Sequence, residues 1–150
     1  MLFIYIVLYI SIKGGVNMQV VIFGLNNEQF AVETAKVQSI NDAMEITRVP
    51  KAPTYIKGLI NLRGNVISLL DINFLMDIPK NDRSEGNVII LEMEDELVGI
   101  SVDQVDEVLD LEDSIVEKEN DEKKQAYIKG IINLKDRIIT LIDIDKLLSD

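Results

Sequence analysis

The 150-residue chain contains no Cys, no His and no Trp. Each absence removes a class of chemistry. Without Cys there is neither a disulfide nor a thiolate nucleophile. Without Cys and His there is no zinc site of the usual ligands, and without His no imidazole base working near neutral pH. The eight glycines are scattered and form neither G-x-x-x-x-G-K nor G-x-G-x-x-G, so no phosphate-cradling loop is present. Basic residues are in the minority, 15 Lys and Arg against 26 Asp and Glu, for a net charge of −11. An excess of negative charge repels phosphate backbones and argues against a nucleic-acid partner. The acidic stretch 103–122 lacks the alternating Asp/Asn pattern with a central Gly that a calcium loop requires. No cofactor or metal is implied.

A long hydrophobic run is also missing. Residues 1–12 are apolar, but twelve residues fall short of the about 20 that span a bilayer. They lack the basic start and small-residue cleavage site of a secretory signal. Lys13-Gly14-Gly15 back-translates to a purine-rich run resembling a bacterial ribosome-binding site, placed just upstream of Met18. The expectation is therefore that Met18 is the natural start and residues 1–17 a translated leader, with a short membrane anchor as the alternative.

What is present is 47% hydrophobic and internally repeated. Tyr55-Ile56-Lys57-Gly58-Leu59-Ile60-Asn61-Leu62 recurs as Tyr127-Ile128-Lys129-Gly130-Ile131-Ile132-Asn133-Leu134. At this offset of 72, residues 55–76 match 127–148 at 12 of 22 positions. Upstream, at an offset of 68, Val20-Val21-Ile22-Phe23 answers Val88-Ile89-Ile90-Leu91, and Val37 and Ile40 answer Val105 and Val108. The unit is about sixty residues, present twice, too long for a solenoid repeat. The pseudo-repeats span 18–80 and 86–150, with a linker near 77–86 that contains Pro79 and Gly86.

Each unit reads as β. Residues 19–25 and 87–93 are β-branched and apolar, followed by polar connections and return strands at 30–32 and 97–102. Residues 59–62 and 66–70 form a hairpin around Arg63-Gly64-Asn65, where Gly and Asn tolerate positive φ; residues 131–134 and 138–142 repeat it. Short helical turns follow Thr34 and end each unit near 74–76 and 145–148, and long loops cover 41–54 and 112–125. Some five short strands per unit suggest a small barrel. One such unit buries only a modest core, so two packed face to face, sharing a hydrophobic layer and leaving a groove at their junction, are expected.

Asp71 and Asp143 are the best candidates for catalysis, because both units keep a carboxylate after an apolar strand. Either they meet in the groove as the paired acids of a hydrolase or a ligand-binding barrel, or each caps its own turn. Ser68 and Thr140 repeat as well, but no base accompanies them.

The segment Pro53-Thr54-Tyr55-Ile56-Lys57-Gly58-Leu59-Ile60-Asn61-Leu62-Arg63-Gly64, continued through Asp71, resembles the signature of CheW-type chemotaxis coupling proteins. So do Val98-Gly99-Ile100-Ser101-Val102-Asp103-Gln104-Val105-Asp106-Glu107-Val108 and Lys36-Val37-Gln38-Ser39-Ile40. The resemblance covers residues 18–148. It implies an all-β fold of two tandem five-stranded SH3-like β-barrel subdomains around a shared core, with no enzymatic activity. It implies a cytoplasmic adaptor, recruited to membrane-bound receptor arrays, that joins methyl-accepting chemoreceptors to the regulatory domain of the histidine kinase CheA without inserting into the membrane. A CheW-like scaffold of a non-flagellar chemosensory pathway is a variant of the same reading. No kinase or receiver-domain segment is recognisable, which points to the adaptor rather than to the kinase or an adaptor–receiver fusion.

Carried over position by position, the resemblance implies partner contacts at Val37, Ser39, Gly58, Arg63, Gly64, Val105 and Val108. Two positions depart from the pattern: Ser39 stands where the family often has Glu, and Ser68 where it often has Pro. A bare Gly58 lets a helix approach closely, and the valines offer either core or an apolar strip for a receptor helix.

Residues 18–76 hold five acids and five bases, whereas residues 77–150 hold 21 acids and nine bases. The acidity is expected to lie on the second barrel, and predicts that this barrel meets a more basic partner surface. Binding measured at rising ionic strength is expected to weaken, and salt-insensitive binding would contradict this.

Overall fold

A computed structural model describes residues 18–81, 86–112, 116–117 and 126–148. The suspected leader, the middle of the linker and most of the 112–125 loop lie outside the described residues.

The strands in chain order are β1 (Met18–Leu25), β2 (Glu28–Glu33), β3 (Val37–Asp42), β4 (Ile56–Leu62), β5 (Asn65–Leu70), β6 (Asn87–Glu92), β7 (Leu97–Val102), β8 (Gln104–Leu111), β9 (Val116–Glu117), β10 (Ile128–Leu134) and β11 (Arg137–Ile142). A 3-10 turn at Thr34–Lys36 precedes β3, and two one-turn helices, α1 (Ile72–Met76) and α2 (Ile144–Leu148), close the two units. Three strands are not evident in the sequence: β3 and β8, because their apolar alternation is diluted by Gln38, Ser39, Asp106, Glu107 and Asp110, and the two-residue β9, which lies within the stretch 112–125 expected to be loop. Asn26 and Asn27, at φ 47° and 69°, make the tight two-residue turn that joins β1 to β2.

The strands form a six-stranded sheet, β8-β1-β2-β11-β10-β9, and a five-stranded sheet, β3-β6-β7-β5-β4. Both curl into barrel-like subdomains, in agreement with the two-barrel, all-β expectation. They are not one repeat each, however. The first hairpin of each repeat, β1–β2 or β6–β7, is built into the barrel of the other. β2 lies parallel to β11, and β7 lies parallel to β5. The sequence-level acidity of the second half is therefore divided between both barrels, because Glu92 and the Glu94-Asp95-Glu96 tip travel with β6 and β7 into the five-stranded one.

The burial pattern explains the exchange. Val20, Val21, Ile22 and Phe23 of β1 are all 0% exposed, so both faces of that strand are covered. Strand alternation sends Val20 and Ile22 into the interior of the six-stranded barrel with Ile132, Ile139 and Leu141. It sends Val21, Phe23 and Leu25 into a central layer, where they meet Ile40, Ile89, Leu91, Ile100 and Ile142. Ile60, Ile67, Leu69, Val88 and Ile90 fill the second barrel. Phe23 and Phe30 stack in the central layer with ring centroids 6.1 Å apart. Each of these large side chains contributes roughly 1.5–3 kcal/mol on burial, so the layer shared by the barrels is a main source of cohesion. Among the described residues no polar or charged side chain is buried.

Because neither repeat holds a complete barrel, fragments 18–80 and 86–150 are each expected to be unfolded alone and to fold when mixed. A dispersed amide NMR spectrum from either fragment by itself would contradict the exchanged topology.

Candidate functional site

The internal symmetry extends to local irregularities. The β4–β5 pair is bulged between Ile56 and Gly58, and β10–β11 between Ile128 and Gly130. β3 is bulged at Gln38 against β6, and β8 at Asp106 against β1. A bulge re-aims the side chains that follow it, and here it precedes Ser39 in one barrel and lies between Val105 and Glu107 in the other.

Asp71 and Asp143 occupy equivalent helix starts. Asp71 Oδ1 accepts the Phe74 amide at 3.1 Å, and its other oxygen pairs with Lys80 Nζ at 2.8 Å. Asp143 Oδ1 accepts the Asp145 amide at 3.1 Å. Each carboxylate satisfies orphan amides of its own short helix. The two do not converge as a catalytic pair, which removes the hydrolase reading.

Ser39, Arg63 and Gly64 come together at one end of the five-stranded barrel. Arg63 and Gly64, at φ 53° and 86°, form the two-residue turn between β4 and β5. A turn of this mirror type needs positive φ at both central residues, so the left-handed position falls on Arg63 rather than on Asn65. The Gly64 amide donates to Asn61 Oδ1 at 2.9 Å, which steadies the tip. Beside it opens a cleft of about 360 Å³ lined by Ser39, Asn41, Leu62, Arg63, Asn65 and Leu97. Ser39 Oγ donates to Gln38 Oε1 at 2.9 Å and accepts from Asn41 Nδ2 at 3.0 Å.

The other four positions take different places. Val37 and Val108 are half-buried against the central layer and keep part of their surface. Val105 is only 8% exposed, and its amide is held by Asn87 Oδ1 at 3.0 Å. Its side chain belongs to the core and presents no apolar strip. Gly58 is buried too. A Cβ there would lie 2.5 Å from Ile46 Cγ2 and 2.6 Å from the Thr47 carbonyl oxygen, and one on Gly130 2.7 Å from Val116 Cγ1. The close approach that Gly58 permits is that of the chain's own segment around Thr47, which bridges to Leu59, and not that of an incoming helix.

At the barrel junction two cavities adjoin, of about 730 and 320 Å³, with Glu96 and Leu148 in common. Lys36 and Asp145 bridge the larger one at 2.7 Å, and that hydrogen-bonded ion pair raises the Lys36 pKa. Tyr55, Leu75 and Leu147 line the smaller one. On the other half, burial and the nearby Asp77 raise the Tyr127 pKa. Sequence reading saw Glu94-Asp95-Glu96 only as a hairpin tip. An exposed acidic tip was visible, but its position beside Lys36 and α2 follows from the strand exchange.

Among the described residues no helix is long and apolar enough to cross a membrane, and no carboxylate cluster fit for a metal occurs. A family model described as "CheW-like domain" matches residues 19–150. The "Chemotaxis protein CheW" of Klebsiella aerogenes is 33% identical over 138 residues, covering 89% of this chain and 83% of that protein. The Bacillus subtilis protein of the same name is 30% identical, covering 92% and 90%. The crystal structure of the scaffolding protein TtCheW from Thermoanaerobacter tengcongensis superimposes with a TM-score of 0.80 at 28% identity, covering 89% of this chain and 88% of that one.

Gly58→Ala is expected to cost about 1–3 kcal/mol by overpacking, whereas Gly64→Asn, at an open left-handed turn position, costs less than about 1 kcal/mol. Urea denaturation of the two variants checks this, and equal midpoints would refute the packing role of Gly58.

Proposed function

The chain belongs to the CheW-like domain family, and on that premise we propose that it couples chemoreceptors to the histidine kinase CheA as a non-catalytic scaffold of chemotaxis signalling. The observation that carries this reading is the family match over residues 19–150, which takes in strands of both barrels and every position singled out above. The site chemistry supports it. The repeated carboxylates cap helices, no polar side chain among the described residues is buried, and the open features are a cleft and a junction groove suited to contact. In this reading Ser39, Arg63 and Gly64 form one contact end. Val37 and Val108, half-exposed at the edge of the central layer, offer apolar surface to a receptor helix. Gly58 and Val105 act indirectly, by holding the frame on which those residues sit. The protein works in the cytoplasm beneath membrane-bound receptors.

The test is co-purification of the chain with the cytoplasmic fragment of a chemoreceptor and with CheA from the same cell. Both are expected to be retained by the native chain and by Asp143→Asn, which preserves the cap. Arg63→Glu is expected to fold and to lose most of the captured partner. Unchanged capture by Arg63→Glu would remove the hairpin tip from the interface, and capture of neither partner by the native chain would overturn the scaffold reading.

A further inference from the structure

The strand exchange makes each repeat the partner of the other. Strand β1 pairs with β8, β2 with β11, β3 with β6 and β5 with β7, and each of these four ladders joins residues 18–80 to residues 86–150. The central layer is shared in the same way: Val21, Phe23 and Leu25 of the first repeat meet Ile89, Leu91 and Ile142 of the second. Covalent continuity between the repeats runs through the linker alone. Neither the ladders nor the layer require both repeats to belong to one chain, because a second copy offers the same complementary repeat.

The described parts of the linker fit such an exchange. Its first residues stay with α1. Asp77, at φ 55°, donates its amide to the Phe74 carbonyl at 3.2 Å, and Ile78 donates to that of Asn73 at 2.8 Å. Asn73 Nδ2 donates to the Pro79 carbonyl at 3.2 Å, and Lys80 pairs with Asp71 at 2.8 Å. At the other end stands Gly86, at φ 76°, where a Cβ would collide with the Val102 carbonyl oxygen of β7. Both ends are thus fastened to their own repeats, and keep these contacts whichever copy supplies the other repeat. Lys80, Asn81 and Gly86 line one cleft of about 380 Å³, so the chain leaves the first repeat and enters the second at neighbouring points. Extended, residues 81–86 reach about 20 Å, enough to carry the chain past that point to a neighbouring molecule.

We propose that two copies of this chain form a dimer by exchanging whole repeats: residues 18–80 of each copy fold with residues 86–150 of the other, and the two linkers run between the paired units. Each unit then holds both barrels and the central layer unchanged. The competitor is the chain's own second repeat, whose effective concentration through a short linker is on the order of millimolar. The dimer therefore gains with protein concentration, and with any shortening that stops the linker from turning back. It forms during folding, while β1 still exposes two apolar faces, because finished monomers would first have to open all four ladders. This dimer stands apart from the scaffold reading, which holds whether or not the exchange occurs.

The chain has no Cys, so introduced thiols report the exchange directly. Gln19 on β1 and Asp110 on β8 lie opposite one another, one in each repeat, and their side chains hydrogen-bond at the surface at 2.9 Å. Directly opposed antiparallel residues have the Cα separation that a disulfide spans. The full chain carrying Gln19→Cys and Asp110→Cys is refolded from urea in a glutathione redox buffer, at about 10 µM and at about 1 mM. Non-reducing electrophoresis separates the products, and circular dichroism verifies folding. A monomer closed by an internal disulfide is expected at the lower concentration. At the higher one a covalent dimer without free thiol is expected, its share at least about tenfold larger. Removing residues 81–85 is expected to make this dimer the main product at both. Only internally closed monomer, from the native linker at about 1 mM and from the shortened linker at both concentrations, overturns the exchange. So does a dimer whose disulfides lie within each copy. If the thiol variant fails to fold, the native chain refolded at about 1 mM is diluted and followed by light scattering. An exchanged dimer persists for hours, because it must unfold to separate; a monomer, or a dimer that dissociates within seconds, overturns it.

Discussion

The rest of the structure depends on strands whose two faces are both apolar. β1 carries four consecutive residues without solvent exposure, and all four of Val88-Ile89-Ile90-Leu91 on β6 are buried too. Such a strand cannot lie on the outside of a small barrel. One face must fill a barrel interior and the other must be covered by a second barrel. Handing the β1–β2 and β6–β7 hairpins across to the opposite repeat meets both demands at once, and makes the central layer common property of the two halves.

Duplication gives the molecule two copies of each device, and departures from symmetry distinguish the two ends. The bulges at Gly58 and Gly130, the strap residues that cover them, and the capping carboxylates Asp71 and Asp143 are retained in both halves. These are frame elements, since each satisfies packing or backbone hydrogen bonding that the fold needs twice. The mouths of the barrels differ. One is closed by the Arg137–Glu107 pair and the other is left open between Ser39 and Asn65.

Much of the fold was legible in the residues. The Tyr-Ile-Lys-Gly repeat, the alternating strands and a hairpin around Arg63-Gly64-Asn65 all show themselves locally, while the narrowing of its turn to Arg63-Gly64 came from the structure. β3 and β8 did not, because their polar residues break the period-2 signal where the strands leave the core. Of the candidate site, the hairpin tip at Arg63 and Gly64 was legible as a turn, whereas the burial of Gly58 and Val105 was not, because their surroundings come from segments distant in sequence, the strap at Ile46–Thr47 and the side chain of Asn87.

By itself, the sequence determined that the chain is all-β, duplicated, acidic, and without thiol, imidazole or phosphate-loop chemistry, because composition and local periodicity are properties of the chain alone. Only the tertiary structure decided which strands share a barrel, where the acidic residues of the second half come to lie, and which of two equivalent clefts remains open. Those outcomes depend on burying both faces of β1 and β6 at once, a demand that no segment can meet without the other repeat.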